Sequence, residues 1–445
     1  METAPEFELT NEQKNVIKTF MRFLVNPKER YMIIQGAAGT GKTTMIKAML
    51  KSIQKQYKVL KTLLCEDPKK QDFQTVLTAT TNKAVTVLRD LSGDKTVRTI
   101  HSTLGLKLTQ NFRTGQEYLQ KTDRFTQLPN TVVIMDEASM LDGDTFKFLE
   151  ESLQKTSKAV LIGDVFQLAP IQQKVSNMQL LMHKVPTAIM SQVMRHDGPI
   201  LEAASAFRKV VQTQVFQDIL LSDKVLLVDG PTFKDEMEKA FKDALFSTST
   251  AKVLAWSNSR VMEYNTHLRK IKGLGVNFQE GELVVTNNPI IAGGQIIPVD
   301  SEVAITWLSD STDIFGIPVR RAEINRGPIL FLPDNPMDAK KLMQDIAKKA
   351  NSKAMKDNPG ERKALWEQYF NIKNTWLDLR SPYASTVHKS QGSSYDQVFI
   401  DLYDIGRCNI PSDVARMLYV AISRGRKRVI MFGDLPAKYR GKQAA

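Results

Sequence analysis

A chain of 445 residues is too long for one ordinary hydrophobic core, so we expect two to four domains. Its composition, 42% hydrophobic and 24% charged, is typical of a soluble globular protein, and no apolar run approaches the roughly eighteen residues that a bilayer-spanning helix needs. The formal net charge of +13 favours a polyanionic partner, although charge alone does not separate nucleic acid from a membrane surface.

The cysteines and the N-terminus bear on the compartment. Cys65 and Cys408 lie far apart and form neither a disulfide framework nor a zinc pattern, which fits a reducing environment. The first ten residues carry acids where a signal peptide would need basic residues and an apolar core. We therefore expect a soluble, cytoplasmic protein.

The first predicted element is an amphipathic helix from Thr10 to Leu24, whose apolar side chains recur at helical spacing. Thr10 and Gln13 have the T-x-x-Q spacing of a capping box, in which the glutamine closes the helix end. This structural role explains Gln13 without any ligand.

A P-loop pattern follows. The apolar run Tyr31 to Ile34 predicts a strand, and the chain then reads G-x-x-x-x-G-K-T before a helix-prone segment. Glycines allow backbone N–H groups to surround phosphate oxygens, Lys42 reaches the β and γ phosphates, and Thr43 offers its hydroxyl to Mg²⁺. A chance glycine-rich turn would have to satisfy all these positions at once. The predicted nucleotide-binding residues here are Gly36, Gly39, Thr40, Gly41, Lys42, Thr43 and Thr44.

Three further strands alternate with helices: Thr75 to Thr80, Thr131 to Met135 and Ala159 to Gly163. The alternation predicts a parallel sheet flanked by helices. The second of these strands ends at Asp136 and Glu137, which we interpret as the Mg²⁺ partner and the general base that orients the attacking water.

A polar loop, Gly163 to Pro170, follows the last of these strands and contains Gln167. Its neutral amide can hydrogen-bond a γ-phosphate or the attacking water without adding charge. Without its context this stretch is merely a polar loop.

The segment from Lys107 to Lys121 interrupts the alternation. Two short, polar-rich strands about Thr114-Gly115 predict a β-hairpin that projects from the sheet. Phe112 and Tyr118 are its aromatic candidates for stacking on a separated base. Packing of an aromatic side chain at the foot of the hairpin is an equal alternative.

The α/β pattern restarts near Pro199, which predicts a second domain. Short strand candidates between about residues 281 and 332 predict a small barrel or sheet insertion. Residues 338–376 are helical in pattern and strongly basic, which fits either a solvated face or a nucleic-acid contact. From Tyr383 the α/β pattern returns.

Five motifs occur in a fixed order: GAAGTGKT, MDEASM, GDVFQLAP, TVHKSQG and YVAISRGR. In this order they resemble the superfamily 1 helicases, and within them superfamily 1B, the Dda and RecD branch. The similarity extends from Leu9 to about Phe432. It implies an α/β fold of two RecA-like P-loop domains, with an inserted β-hairpin pin and a small SH3-like β insertion plus a helical segment.

The resemblance also implies a division of the chain. Residues 1–198 correspond to RecA-like domain 1A, with the pin (domain 1B) at about 105–128. Residues 199–280 and 381–445 correspond to domain 2A. Residues 281–380 correspond to the SH3-like and tower insertion, domain 2B.

Roles in the nucleotide site follow from the same resemblance. Gln13 matches the family's adenine-reading glutamine. Arg195 and Arg424 match two arginines that approach the γ-phosphate from either side of a cleft and stabilise charge in the transition state. Gln391 and Gly392 match the motif that couples this cleft to the DNA strand.

Contacts to DNA are implied at small hydroxyl, amide and imidazole side chains on loop ends, which can hold phosphates without reading bases. For His101, a buried and satisfied imidazole is nearly as reasonable as a strand contact. Position 80 departs from the family, which usually has proline there. The implied DNA-binding residues are Thr81, Asn82, Thr99, His101, Phe112, Asn258, Thr386 and His388.

These expectations predict an ATP-dependent DNA helicase that uses ATP and Mg²⁺ and translocates 5′ to 3′ on single-stranded DNA, in phage replication, recombination or repair. The alternatives are a P-loop ATPase acting as a switch or remodeller, and a non-enzymatic strand-binding protein. Expected partners are single-stranded DNA, duplex junctions, and a single-strand binding protein or other replication proteins, with no membrane partner. We expect a monomer, located in the host cytoplasm if a phage encodes it.

Overall fold

The computed structural model describes residues 9–64, 73–170, 176–193, 198–242, 250–292 and 295–441. Helices and strands alternate in the first part of the chain, as predicted. The helices are α1 (Asn11–Val25), α2 (Lys42–Lys55), α3 (Tyr57–Leu64), α4 (Asn82–Ser92), α5 (Ile100–Leu104), α6 (Gly143–Ser152) and α7 (Asn177–Leu181). The strands are β1 (Tyr31–Gly36), β2 (Gln74–Ala79), β3 (Arg98–Thr99), β4 (Leu106–Gln110), β5 (Glu117–Lys121), β6 (Thr131–Asp136), β7 (Lys158–Gly163) and β8 (Thr187–Met190).

The first sheet has the strand order β3-β2-β6-β7-β1-β8, and all its pairs are parallel. Its central strands are buried along their whole length, which explains why they read as continuous apolar runs. Because the strands are parallel, the carboxyl ends of β1 and β6 lie at one edge of the sheet. The P-loop and the Asp136-Glu137 pair therefore meet there.

The predicted hairpin is confirmed. Strands β4 and β5 pair antiparallel, with Leu108 opposite Leu119, and the turn between them contains Gly115 at φ +74°. A left-handed backbone at this position explains the glycine.

A second α/β unit begins with α8 (Pro199–Thr213), β9 (Val225–Val228), α9 (Gly230–Lys242), β10 (Ala251–Ala255) and α10 (Asn258–Ile271). It is interrupted by an insertion that begins with short strands, as predicted. These are β11 (Leu283–Thr286), β12 (Ile290–Ala292), β13 (Gln295–Ile297), β14 (Glu302–Leu308), β15 (Thr312–Ile314), β16 (Ile317–Ile324) and β17 (Ile329–Pro333).

Three helices and one short strand complete the insertion: α11 (Pro336–Ala350), α12 (Lys353–Lys356), α13 (Pro359–Thr375) and β18 (Leu379–Arg380). Its sheet is antiparallel, in the order β15-β16-β14-β11-β18 with β17 on β16, and β12 and β13 form a separate hairpin. The helical stretch predicted for residues 338–376 is divided among three helices: α11 ends at Ala350, the short α12 follows Ser352, and Pro359 starts α13.

The second unit ends with β19 (Ala384–Thr386), β20 (Tyr395–Asp401), α14 (Leu402–Gly406), α15 (Pro411–Ile422) and β21 (Gly425–Phe432). Its sheet has the order β19-β10-β20-β21-β9, and every pair is parallel. Helix α15 is buried along nearly its whole length. Across the described residues, no helix is both long and apolar enough to cross a bilayer.

Candidate nucleotide and strand sites

The P-loop joins β1 to α2. Gly39 and Gly41 have φ of +83° and +80°, a left-handed backbone that favours glycine. Lys42 Nζ donates to the carbonyl oxygens of Gly36 and Ala37 at 2.9 and 3.0 Å, so the ammonium lies against its own loop. The residue before α2 is Gly41, which has no side chain to cap the first N–H groups of the helix. These N–H groups suit a phosphate.

The side chain of Gln13 lies between the start of helix α1 and the P-loop. Its side-chain Oε1 accepts from Thr10 N at 3.1 Å, which completes the predicted capping box at the start of α1. Its Nε2 lies 3.0 Å from the place where a Cβ on Gly41 would be. The capping box therefore orients the amide beside the P-loop, and the structural and nucleotide-reading roles are compatible.

Asp136 ends β6 and is buried. Its Oδ1 accepts from the N–H of Glu137 at 2.8 Å. Burial raises the pKa of Asp136 above its usual range, the neighbouring charge of Glu137 raises it further, and Lys42 opposes both. Two carboxyl groups that repel each other in a buried place would be stabilised by a cation.

Glu137 has a strained backbone. Its φ of +51° and ψ of +34° are left-handed, which is uncommon for a residue other than glycine. The hydroxyl of Thr80 donates to its carbonyl oxygen at 2.9 Å. Its Oε2 is buried and has no hydrogen-bond partner among the described residues. Such strain and an unsatisfied carboxylate are features of functional positions.

The opposite wall of the site comes from the second sheet. A cavity of about 310 Å³ is lined by Lys42, Asp136 and Glu137 on one side and by Gly392 and Arg424 on the other. The buried guanidinium of Arg424 donates to the carbonyls of Val420 and Ser393 and to the Ser423 hydroxyl, at 3.0 to 3.1 Å. The cleft expected from the sequence is therefore present. Arg195 lies outside the described residues.

Two buried glutamines lie at the cleft, and one of them bonds across it. Gln167 lines the cavity, and its buried Oε1 has no hydrogen-bond partner among the described residues. Gln391 donates from Nε2 to Leu168 O across the cleft at 3.4 Å, and its Oε1 is likewise buried without such a partner.

The donor set fits a Mg·nucleotide. Thr43 and Asp136 both line the cavity and offer oxygen ligands. No group of three or more histidine, cysteine or acidic side chains that could hold a metal occurs in the described ranges. A divalent cation held here would therefore need phosphate oxygens and water as additional ligands, which is typical of Mg²⁺.

The predicted strand residues lie at the starts of helices and at strand ends. Thr81 and Thr99 are the N-caps of α4 and α5, and their hydroxyls accept from backbone N–H groups at 3.3 and 3.4 Å. Asn82 and Asn258 are exposed on the first turns of α4 and α10. Thr386 ends β19.

Two histidines are partly buried. His101 Nε2 is 3.0 Å from the Thr145 hydroxyl, which itself donates to Asp142 at 2.8 Å, so the imidazole is the donor. Burial lowers the pKa of His101 and of His388. His101 is therefore partly buried and hydrogen-bonded, which is one of the two alternatives that the sequence offered. Its contact with a DNA strand stays a prediction.

Comparison with known proteins gives two family-model matches, an AAA domain over residues 8–218 and a UvrD-like helicase C-terminal domain over residues 382–432. The ATP-dependent DNA helicase dda of Enterobacteria phage T4 is 25% identical, over 94% of this chain and 98% of that protein. The predicted resemblance to Dda-type DNA helicases is confirmed.

Two further proteins are similar, one in sequence and one in fold. The RecBCD subunit RecD of Mycobacterium tuberculosis is 28% identical over 32% of this chain and 24% of that protein. The crystal structure of a Bacteroides Pif1 helicase in complex with ADP-AlF3 and ssDNA has a TM-score of 0.52 at 15% identity, and covers 98% of this chain and 94% of that one. The predicted fold of two RecA-like domains is confirmed.

Sequence reasoning missed a hydrogen-bond network that joins the two halves of this protein. Tyr419 on α15 donates to Asp164 Oδ2 at 2.6 Å and accepts from the P-loop N–H of Ala38 at 3.1 Å. Arg416, one turn earlier, donates to Val165 O at 2.6 Å and also to Gln167 O. Asp164 and Tyr419 lie within motifs visible in the sequence, but their pairing is not visible there.

Thr80 is the other residue that sequence reasoning left without a role. Replacing Thr80 with valine keeps the shape of the side chain and removes the hydroxyl that holds the Glu137 carbonyl. Because one hydrogen bond contributes about 1 kcal/mol, we expect kcat of ATP hydrolysis to fall by about fivefold with KM nearly unchanged. Steady-state ATPase assays measure both constants. Thr80→Ser retains the hydroxyl and should restore the rate, and an equal loss in both variants would contradict this role.

Proposed function

We propose that this protein is an ATP-dependent DNA helicase that translocates 5′ to 3′ on single-stranded DNA and unwinds duplex DNA. The observation that carries the proposal is the cavity between the two parallel sheets, with Lys42, Asp136 and Glu137 on one wall and Gly392 and Arg424 on the other. A nucleotide bound there contacts both domains, so hydrolysis can change their separation.

Each residue of the site has a chemical task in this proposal. Lys42 and the α2 N-terminus bind phosphate, and Thr43 and Asp136 would hold Mg²⁺, which neutralises phosphate charge when bound. Glu137 accepts the proton of the attacking water, and Gln167 orients that water. Arg424 supplies positive charge where negative charge develops, and we give Arg195 the same task.

The strand path is also part of the proposal. Thr81, Asn82, Thr99 and His101 would contact the backbone from the first domain, and Asn258, Thr386 and His388 from the second. A protein that steps along a strand needs a separate contact with the strand from each of its two domains. The 5′-to-3′ direction and the division into residues 1–198, 199–280 with 381–445, and 281–380 rest on the resemblance to superfamily 1B.

The β4–β5 hairpin is proposed as the wedge at the duplex junction. Phe112 is 40% exposed and packs edge to face on Phe370 of α13, with ring centroids 5.6 Å apart. Lys373 pairs with Glu117, and Gln110 exchanges amide hydrogen bonds with Asn374. These contacts hold the hairpin against α13. A fixed wedge is useful because opening one base-pair step costs about 1.4 kcal/mol, more than thermal energy.

The decisive experiment measures ATP hydrolysis with and without single-stranded DNA, and then unwinding of duplexes with only a 5′ or only a 3′ tail. We expect hydrolysis to rise with single-stranded DNA and unwinding to need the 5′ tail. A strand-stimulated ATPase that unwinds neither duplex would favour the remodeller alternative. Absence of stimulation would rule out the helicase.

Further elements of the proposal concern the cellular setting. We propose Mg²⁺ as the metal, a monomer as the acting form, and the cytoplasm as the location. A single-strand binding protein is the expected protein partner, at sites of phage DNA replication, recombination or repair.

A further inference from the structure

A second cavity, of about 270 Å³, lies where helix α4, the second parallel sheet and the insertion meet. It shares no lining residue with the nucleotide cavity. Its walls include Lys83 from α4, Lys252 from β10, Lys389 from the turn after β19, Asp300 from just before β14, and Glu302, the first residue of β14. Neither the sequence motifs nor the nucleotide chemistry assigns a role to these five side chains.

The lysines are close enough to affect one another. Lys252 is buried, and burial together with the neighbouring charge of Lys83 lowers its pKa to about 7, against the opposing effect of Glu302 and Asp300. Burial also lowers the pKa of Lys83, and Lys389 lowers it further. Burial and mutual repulsion thus oppose the charged form of these lysines, and an anionic ligand in the cavity would stabilise that charge.

Acidic groups of the insertion lie close to these lysines. Asp300 Oδ1 lies 3.3 Å from Lys389 Nζ, which also donates to Asn287 Oδ1 at 2.5 Å. Asp300 has φ of +59°, and its N–H donates to Thr286 O at 2.8 Å, which fixes the turn that presents the carboxylate. The insertion is therefore tied to the turn after β19 by an ion pair.

Other lining groups point to the class of ligand. Asn258 and Thr386, two of the proposed strand contacts, line the same cavity. Ser385 lies between these walls, and its buried hydroxyl has no hydrogen-bond partner among the described residues. Hydroxyl, amide and ammonium donors together suit a phosphate of a nucleic-acid backbone.

We propose that this cavity binds one backbone phosphate of single-stranded DNA through Lys83, Lys252 and Lys389, and that Asp300 holds Lys389 until the strand arrives. The inference rests on the proposed function. It adds three lysine contacts to the strand and a carboxylate of the protein that competes with the strand phosphate. The strand phosphate and the Asp300 carboxylate compete for the same ammonium. Strand binding therefore breaks the ion pair that ties the insertion to the second sheet.

The test compares the affinity of full-length variants for a fluorescein-labelled oligothymidylate by anisotropy. Asp300→Asn removes the competing charge and should tighten binding by about fivefold, the effect of one unit-charge interaction across a hydrated contact. Lys389→Ala should weaken binding and lower the salt slope by about 0.7, as loss of one phosphate contact on a single strand does. Asp310→Asn, an exposed acid in the same insertion that does not line the cavity, is the matched control and should bind as the original chain does.

The two substitutions have opposite expected signs, which separates competition from a purely structural ion pair. If the pair only stabilises the insertion, both variants lower the thermal midpoint and neither tightens binding, and the proposal fails. Glu302→Gln removes the second acidic charge of the cavity, and it should also tighten oligonucleotide binding. The KM for ATP measured without DNA should not change in any variant, and a change would point to a nucleotide phosphate as the ligand instead.

The same titrations distinguish this proposal from the function on which it rests. If the original chain fails to bind the oligonucleotide, the helicase assignment itself is wrong. If the original chain binds but Asp300→Asn binds no more tightly than Asp310→Asn, the proposed competition by Asp300 is wrong. If Lys389→Ala also binds as the original chain does, the proposed phosphate site is wrong as well.

Discussion

Replacing Glu137 with glutamine is expected to reduce strand-stimulated ATP hydrolysis by about 10² to 10⁴-fold, the contribution of a positioned general base. The amide has the shape of the carboxylate but cannot take a proton from water. The strained backbone at φ +51° and the Thr80 hydrogen bond do not involve the carboxyl group, so both should persist. Nucleotide should therefore still bind while turnover stops. Single-turnover hydrolysis and titration with a fluorescent ATP analogue measure the two properties separately.

Two further variants serve as a comparison and a control for this result. Lys42→Ala removes the ammonium of the P-loop and should lose hydrolysis together with nucleotide affinity, while strand binding is largely retained because other cations hold the backbone. Glu150→Gln changes an exposed acid on α6 and should hydrolyse ATP normally. Hydrolysis by Glu137→Gln within about tenfold of the original rate would assign the base to another residue.

Replacing Gly115 with alanine is expected to reduce duplex unwinding by at least about tenfold, the rate equivalent of one base-pair step, while leaving strand-stimulated hydrolysis intact. A Cβ at this position would lie 2.2 to 2.3 Å from three atoms of the Trp366 indole. Trp366 is buried in α13 and cannot move aside cheaply. The hairpin must therefore leave the helix that holds it. Unwinding of a 5′-tailed duplex under single-turnover conditions measures the effect.

Gly316→Ala provides a matched control for backbone strain. Gly316 has φ of +78°, close to the +74° of Gly115, but an added Cβ would have no neighbour within 4 Å among the residues that the structure describes. Both substitutions carry the strain of a left-handed alanine, about 1 kcal/mol, and only one disturbs the hairpin contact. Unwinding that is equally reduced in both variants, or in neither, would mean that the docking of the hairpin on α13 does not matter for strand separation.

The P-loop and the strand-end acids could be read from the sequence because their physics is local. Gly39, Gly41 and Lys42 are constrained by the turn they form, and Asp136 follows its strand directly. The capping box of Gln13 is equally local, and the structure confirms it. The hairpin could be predicted as well, because alternating side chains and Thr114-Gly115 define it within fifteen residues.

Contacts between distant segments could not be read in this way. The hydroxyl of Thr80 meets a carbonyl 57 positions later, and Tyr419 meets Asp164 across 255 positions. The sequence identified position 80 only as a departure from the family. The bond to Glu137 depends on β2 and β6 lying side by side with their ends in register, which is a property of the assembled sheet.

The sequence by itself predicted the class of protein and the residues of a nucleotide site, because the type and order of motif residues indicate their function. Only the tertiary structure decided that Lys42 and Arg424 share one cavity, that α13 braces the hairpin, and that Asp300 reaches Lys389. These contacts join separate domains or an insertion to the core. Their geometry follows from how whole sheets and helices pack, and local propensity carries no information about that packing.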